Sequence, residues 1–254
     1  MHITDWKLPA GIHAFCTTRE GGVSVPPYHS LNLGDHVHDD PDAVARNRSQ
    51  FAQRLGGARP VFLSQVHGTA VVCLDVSTPD GTVADACFTR QSQLACTIMV
   101  ADCLPLLLTD VAGSVVAAVH AGWRGLVNGV IENTVNTLCV NAGVKPDALQ
   151  VWLGPCIGPR AFEVGAPVRQ VFLEKDAAAG RFFQSHAQRL DKYWADLPAL
   201  ARRRLQLMGV EAIAGNDSTD AWCTVQQASK FFSYRRDGVT GRFAACIWRS
   251  AGCI

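Results

Sequence analysis

The sequence has no Cys-x-x-Cys pair among its 10 cysteines. Zinc ribbons and thioredoxin-like redox sites are built on that spacing, so both are excluded. It also lacks an excess of one charge sign: 23 Lys and Arg stand against 22 Asp and Glu, for a net charge of +1. Without a basic stripe or an acidic tail, neither nucleic acid nor an anionic membrane is the expected partner, and phosphate recognition must rest on a few placed arginines. The opening segment MHITDWKLPAGIH has no basic stretch followed by an apolar run, so no secretion signal is expected. No uninterrupted apolar stretch is long enough for a membrane span. The most apolar region, Leu104 to Trp123, is broken by Asp110 and His120 and reads as buried strands. These absences predict a cytoplasmic chain in a reducing compartment. Eight or nine of the cysteines are then expected to be small buried hydrophobes.

What is present is a substantial core. Of 254 residues, 48% are hydrophobic and 18% charged, a globular balance. HAFCTTREGGVS has a short strand pattern ending at Gly21-Gly22, and a loop rich in Pro, Tyr, Asn and His follows over 25–38. Asp40 and Pro41 then predict a helix start, with Val44, Phe51 and Leu55 as its apolar stripe and Gly56-Gly57 as its end. Between Val61 and His120 come short β-rich runs: VFLSQVH, AVVCLDV, LACTIMV, PLLLTD and SVVAAVH. Leu126, Val127, Val130, Ile131, Val135 and Leu138 recur at helical spacing, which predicts a helix over 126–140 with Gly143 just past it. The strand LQVWLG leads into the turn GPCIGP. A second long helix is predicted near Tyr193 to Met208, ending at Gly209, and strands VEAIA and RFAACIW close the chain. With no repeat and no linker, one α+β domain over 1–254 is the expectation.

Three segments carry candidate chemistry: SQVHG at 64–68, ADCLP at 101–105 and VHAGWRG at 119–125. Each puts one possible metal ligand, His67, Cys103 or His120, at or just after the end of a β-like run. If those strands are neighbours in one sheet, their ends converge at one edge. Two imidazoles and a thiolate suit zinc, and three protein ligands leave an open fourth position. Each residue alone also fits a blander role, a satisfied polar histidine or a core cysteine, and spacing leaves both readings open. The turn after His120 adds an anion-binding signal. A helix opening near Leu126 would offer free N–H groups, with Arg124 on the same turn. Arg124 also fits a surface arginine, and Trp123 a core aromatic. Arg19, Arg48 and Arg235-Arg236 are further substrate-binding candidates, although surface or structural roles suit them equally. GPCIGP is either a ligand-lining loop or a rigid turn around a buried Cys156.

Taken together, SQVHG, ADCLP, HAGWRG, GPCIGP with FEVG, and FFSYRRDGVTGR resemble the YfiH/YlmD-like family, also called the laccase-domain or multicopper polyphenol oxidase family. The early TTREGGVS…YHSLNLGDHV…DD…NR matches as well, so the resemblance spans nearly the whole chain. It implies a mixed β-sandwich flanked by helices in αββα layers, and zinc on His67, Cys103 and His120. It implies purine nucleoside phosphorylase activity, in which inosine, guanosine or adenosine plus phosphate gives free base and ribose 1-phosphate. Adenosine deaminase, methylthioadenosine phosphorylase, polyphenol oxidase and peptidoglycan-editing activities are also attached to the family. The implied partners are thus a purine nucleoside and phosphate, with substrate contacts expected among Arg48, Arg124 and Arg235.

Three other readings use the same residues. A copper oxidoreductase is possible chemistry for two His and one Cys. Met99, four residues from Cys103, would be about 13 Å away along a strand at ~3.3 Å per residue, too far to serve as the axial ligand. The eight histidines are scattered, three of them (His29, His36, His38) in one loop, which disfavours a multicopper cluster. A Cys–His hydrolase would use Cys103 as nucleophile and His120 as base. A binding module with a structural metal would need a fourth protein ligand, for which Cys156 and Cys223 are the obvious donors.

Overall fold

Strands that are apolar at almost every position need cover on both faces, and the computed structural model supplies it. It describes Ile3 and residues 6–251. In chain order the elements are β1 (Ile12–Cys16), α1 (Pro41–Gln53), β2 (Arg59–Phe62), β3 (Val71–Cys73), β4 (Ala86–Thr89), β5 (Leu94–Val100), β6 (Leu104–Asp110) and β7 (Val116–Ala121). Then come α2 (Trp123–Asn128), α3 (Val130–Ala142), β8 (Leu149–Leu153), β9 (Glu163–Gly165), α4 (Ala166–Lys175), β10 (Phe183–Ser185) and β11 (Lys192–Ala195). The last are α5 (Leu197–Leu207), β12 (Ala212–Gly215), α6 (Tyr234–Asp237) and β13 (Phe243–Arg249).

Two mixed sheets stack face to face. One has the order β1-β13-β5-β2 and the other β12-β8-β6-β7-β4-β3; a small third sheet, β10-β11-β9, stands apart. Side chains alternate across each strand and so sort into three cores. Between the sheets lie Cys96, Ile98, Phe243, Ala245 and Ile247 from one side, and Cys87, Leu107, Val116 and Ala118 from the other. The outer face of the six-stranded sheet sets Leu106, Leu108, Ala117 and Val119 against Ile131, Val135 and Leu138 of α3 and Leu200 and Leu205 of α5. The outer face of the four-stranded sheet sets Phe15, Met99, Ala244 and Cys246 against Phe51 of α1. The result is the expected helix–sheet–sheet–helix layering.

Asp40 caps α1 by accepting from the Asp42 N–H, with Pro41 as its first residue. The predicted helix over 126–140 is instead two. Gly129 takes a left-handed φ of 98°, ends α2 and restarts the chain as α3, which continues to Ala142 before Gly143. The predicted helix over 193–208 begins later than its periodicity implies. Lys192–Ala195 form β11, and Asp196 then caps α5 by accepting from the Ala199 N–H, with Pro198 in its first turn. Proline is tolerated there and would break a helix that had begun at Tyr193. Sequence reading did not pick out β4, β9, β10 or α4. Of nine described cysteines, six are buried, Cys103 and Cys139 are half-buried and Cys73 is exposed, so fewer are core residues than expected. Cys253 lies outside the described residues. Among those described, no helix is long and apolar enough to cross a membrane.

Candidate metal centre

His120 is the penultimate residue of β7 and continues the face of Val116 and Ala118, so its ring points between the sheets at one end of the sandwich. Cys103 lies in the short turn by which the chain leaves β5 in one sheet and enters β6 in the other. His67 is not at a strand end. β2 stops at Phe62, and His67 sits in the loop beyond it with a left-handed φ of 61°. The three residues therefore do not come from neighbouring strands of one sheet, as the sequence pattern implied; they meet where the two sheets and a loop converge. Their ligand atoms all lie within 4.8 Å of one another. Cys103 Sγ is 3.6 Å from His67 Nε2, and the two imidazoles meet edge to face.

The residue that organises this cluster is Asp85, which sequence reading missed. Its carboxylate is fully buried (0% exposed). Oδ1 accepts from the His67 N–H at 2.8 Å and Oδ2 from the Gly68 N–H at 2.6 Å and the Val66 N–H at 3.2 Å. Oδ1 also lies 2.8 Å from His120 Nδ1. Burial alone would raise the Asp85 carboxyl, but these bonds outweigh it and hold it below its ordinary value. An ionised Asp85 accepts only, so His120 Nδ1 carries the proton and Nε2 is left for a ligand, the arrangement that orients metal-binding histidines. The only sequence signal was a lone acid inside an apolar run, VADACF.

The other motif residues have equally local reasons. The Gln65 amide pairs with the Met99 backbone in both directions, at 2.8 and 2.9 Å, and docks the SQVHG loop on the end of β5. Asp102, beside Cys103, is held at a φ of 98°. Its carboxylate accepts from Thr224 Oγ1 and the Arg235 N–H, and its carbonyl from the Ile157 N–H. A non-glycine residue in that region persists only where its surroundings over-determine it. In HAGWRG, a Cβ at Gly122 would fall 2.7 Å from His67 Cδ2 and 3.0 Å from Cys103 Sγ, so only glycine leaves room for the ligands.

The cluster is electrostatically one unit. Burial would raise the Cys103 thiol, yet the charge of His120 and hydrogen bonds from His120 and His67 bring it down to about 6. Burial would lower His120, yet the Cys103 charge and the Asp85 bond raise it to about 9. Without a metal the pair is a thiolate and an imidazolium; a metal would displace the proton. One thiolate and two imidazoles at this separation fit zinc or copper, both of which accept that donor set. Among the described residues no fourth protein donor completes the group. Cys156 and Cys223 are free thiols on backbone segments joined by an isolated β-bridge, the first sulfur accepting from Asn216 Nδ2 and the second from the Gly158 N–H.

The open side faces a cavity of about 440 Å³ lined by Trp123, Arg124, Ile157, Phe162, Tyr234, Arg235 and Arg242, among others. Arg124 stacks on Trp123, 4.4 Å from its ring centre. The helix that follows is the six-residue α2, opening at Trp123 rather than near Leu126, and too short for a strong helix-end field. Arg235 lines the cavity with Nη1 on the carbonyls of Ala161 and Glu163. Arg48 does not line it; its guanidinium pairs with Asp35 at 3.2 Å and stacks on Phe62. Arg19 and Arg236 are likewise tied to backbone carbonyls. The Met99 sulfur rests 3.9 Å from Arg48. His36 and Arg242 line the cavity, and sequence reading had not marked either as a contact.

A two-sheet sandwich with a His-Cys-His cluster under a cationic cavity defines the class. Residues 13–250 match the family model described as multi-copper polyphenol oxidoreductase laccase, and the chain belongs to that YfiH/YlmD-type family. It is 49% identical over 247 residues to purine nucleoside phosphorylase YfiH of Shigella flexneri, covering 97% of each chain. It is 50% identical over 244 residues to a purine nucleoside phosphorylase of Pseudomonas aeruginosa, covering 96% of each. Among solved structures it resembles a Neisseria meningitidis protein with a TM-score of 0.90 and 44% identity, covering 97% of this chain and 98% of that one. It resembles YlmD of Geobacillus stearothermophilus with a TM-score of 0.83 and 29% identity, covering 95% and 93%.

Two outcomes follow from the site. Asp85→Asn should weaken metal binding about 10- to 100-fold, measured by competition with a chromogenic chelator, because the amide no longer fixes the His120 ring. In metal-stripped protein the Cys103 thiolate should form as pH rises through about 6. Alkylation of its peptide, followed by mass spectrometry, should therefore reach its plateau near neutral pH, while exposed Cys73 continues to gain reactivity into the alkaline range.

Proposed function

We propose that this protein is a zinc-dependent purine nucleoside phosphorylase that converts inosine, guanosine or adenosine with phosphate into free base and ribose 1-phosphate. Adenosine deaminase and methylthioadenosine phosphorylase are proposed as side activities. The supporting observation is the His67, Cys103 and His120 cluster opening onto an arginine-lined cavity, in a chain whose near full-length relatives carry the phosphorylase name. The cavity volume falls in the range of small-molecule sites, ~300–1,000 Å³. Phe162, Ile157 and Trp123 offer an apolar wall for a purine, and Arg124 and Arg235 offer donors to an anion. Zinc, when bound, supplies Lewis-acid polarisation to a leaving group or a water. Asp85 keeps His120 Nδ1 protonated and so keeps Nε2 free. A substrate pool of nucleosides and a reduced thiolate ligand both fit action in the cytoplasm.

The second reading is a copper-dependent polyphenol oxidase, favoured by the family's description and by a donor set that copper also accepts. A multicopper cluster needs further imidazoles converging on the site. Among the described residues His36 is the one additional histidine in the cavity lining; His13 stacks on Trp248 and His186 lies against Trp194. A Cys–His amidase editing peptidoglycan precursors would use the Cys103 thiolate as a nucleophile, and would keep its activity after metal removal.

The decisive experiment follows products from inosine and adenosine with and without phosphate. Inosine cleavage should require phosphate and release ribose 1-phosphate, whereas adenosine deamination should require metal but not phosphate. Oxygen uptake that scales with bound copper, without nucleoside turnover, would promote the oxidase instead. Cys103→Ala should lose most of an equivalent of zinc by elemental analysis and nearly all turnover; full zinc occupancy in that variant would sink the metal assignment.

A further inference from the structure

Arg242, the last residue of FFSYRRDGVTGR, immediately precedes β13 and lines the same cavity as the His-Cys-His cluster. Its backbone is fixed on both sides, with its N–H on Asn32 Oδ1 at 2.8 Å and its carbonyl accepting from the Leu33 N–H at 3.0 Å. Asn32 is itself fully buried. The side chain runs along Gly34, where an added Cβ would fall 2.8 Å from Arg242 Cγ, so the glycine of NLGDH provides its path. Nη1 donates to the carbonyls of Thr240 and Gly241 at 3.0 and 3.1 Å, which fixes one side of the fork.

The remaining edge has no protein partner among the described residues. Nε and Nη2 carry three of the guanidinium's five N–H donors, and no acceptor is bonded to them. Among the described residues no carboxylate lies within 4.0 Å of the group, whereas the half-buried Arg48, Arg203 and Arg204 each have one. Desolvation lowers the Arg242 pKa, and the nearby Cys103 and Asp102 charges oppose that shift only in part and are not bonded to the guanidinium. His36 lines the cavity too. Burial and the Arg242 charge hold His36 below the usual imidazole range, which leaves a neutral hydrogen-bonding group beside the cation. The one acid in the cavity lining, Asp102, has both oxygens engaged by Thr224 and the Arg235 N–H.

We propose that Arg242, which lines the cavity and keeps its Nε–Nη2 edge unbonded, is the principal oxyanion-binding residue of this site and takes two oxygens of inorganic phosphate, with His36 as a neighbouring contact. The more exposed Arg124 and Arg235 are secondary. The role of that phosphate as co-substrate rests on the phosphorylase reading; its binding does not.

The test uses zinc-loaded wild type, Arg242→Gln and Arg242→Lys, with inorganic phosphate as the probe. Thermal unfolding over a phosphate series reads binding directly, and unfolding without phosphate together with circular dichroism reads the fold. Wild type should be stabilised by phosphate and Arg242→Gln should not, while Arg242→Lys keeps a weakened response. In turnover assays the KM for phosphate in inosine cleavage should rise about 10- to 100-fold in Arg242→Gln, the worth of a charged hydrogen-bonded contact. If phosphate stabilises Arg242→Gln as well as wild type, the assignment is overturned, whatever the protein does with inosine. If phosphate binding depends on Arg242 but wild type cleaves no inosine, the oxyanion site stands and the phosphorylase reading falls. If Arg242→Gln fails to fold, an unchanged phosphate response in Arg242→Lys overturns the proposal and a weakened one supports it.

Discussion

The buried carboxylate of Asp85 ties the loop carrying His67 to the strand carrying His120. It accepts three consecutive backbone N–H groups from Val66, His67 and Gly68, and it faces the His120 ring. A charge placed in a fully buried position is tolerated only when it is so completely bonded, and removing one partner from such a group costs about 3–5 kcal/mol. The same interaction sets the positive φ of His67, chooses the His120 tautomer and, through both, aims two of the three ligands at Cys103. Neither sheet alone would bring these residues together.

The sandwich converts this local arrangement into a site. Because β5 and β6 belong to different sheets, the turn joining them crosses the open end of the interior and presents Cys103 there. Asp102 is pinned through side chain and carbonyl, so the turn cannot relax away from its strained φ. Gly122 then clears the space the ligands occupy. The ligand side is pinned by these bonds, and the other side opens on the cavity, where Trp123, Ile157 and Phe162 stand beside Arg124, Arg235 and Arg242.

Much of the fold was legible. The Asp40-Pro41 start, the α3 stripe and the runs that became β5, β6, β7, β8 and β13 follow from capping chemistry and from residues that need burial on both faces. The misreadings share a cause. Residues 193–208 carry apolar residues at spacings that fit a helix, yet Pro198 and the cap at Asp196 put the start at Leu197. The stripe over 126–140 continued across Gly129, where a left-handed residue changes the helix axis without interrupting the pattern. Short β4, β9 and β10 owe their form to neighbouring strands more than to their own composition.

The sequence by itself determined which residues could bind a metal, since thiol and imidazole chemistry belongs to the side chain and the motifs around His67, Cys103 and His120 stand out one by one. With no basic stripe in a chain of net charge +1, it also pointed to a few placed cationic side chains, arginines among them, as the anion-binding candidates. Only the tertiary structure decided which arginines. Arg48 lies on the first helix with a carboxylate at hand and is spent on it, while Arg242, unmarked in sequence, lines the cavity with no carboxylate paired to it among the described residues. It also decided that Asp85 governs the centre. The physical reason is the same in both cases: a charge's role is set by which partners surround it, and those partners come from residues far away in the chain.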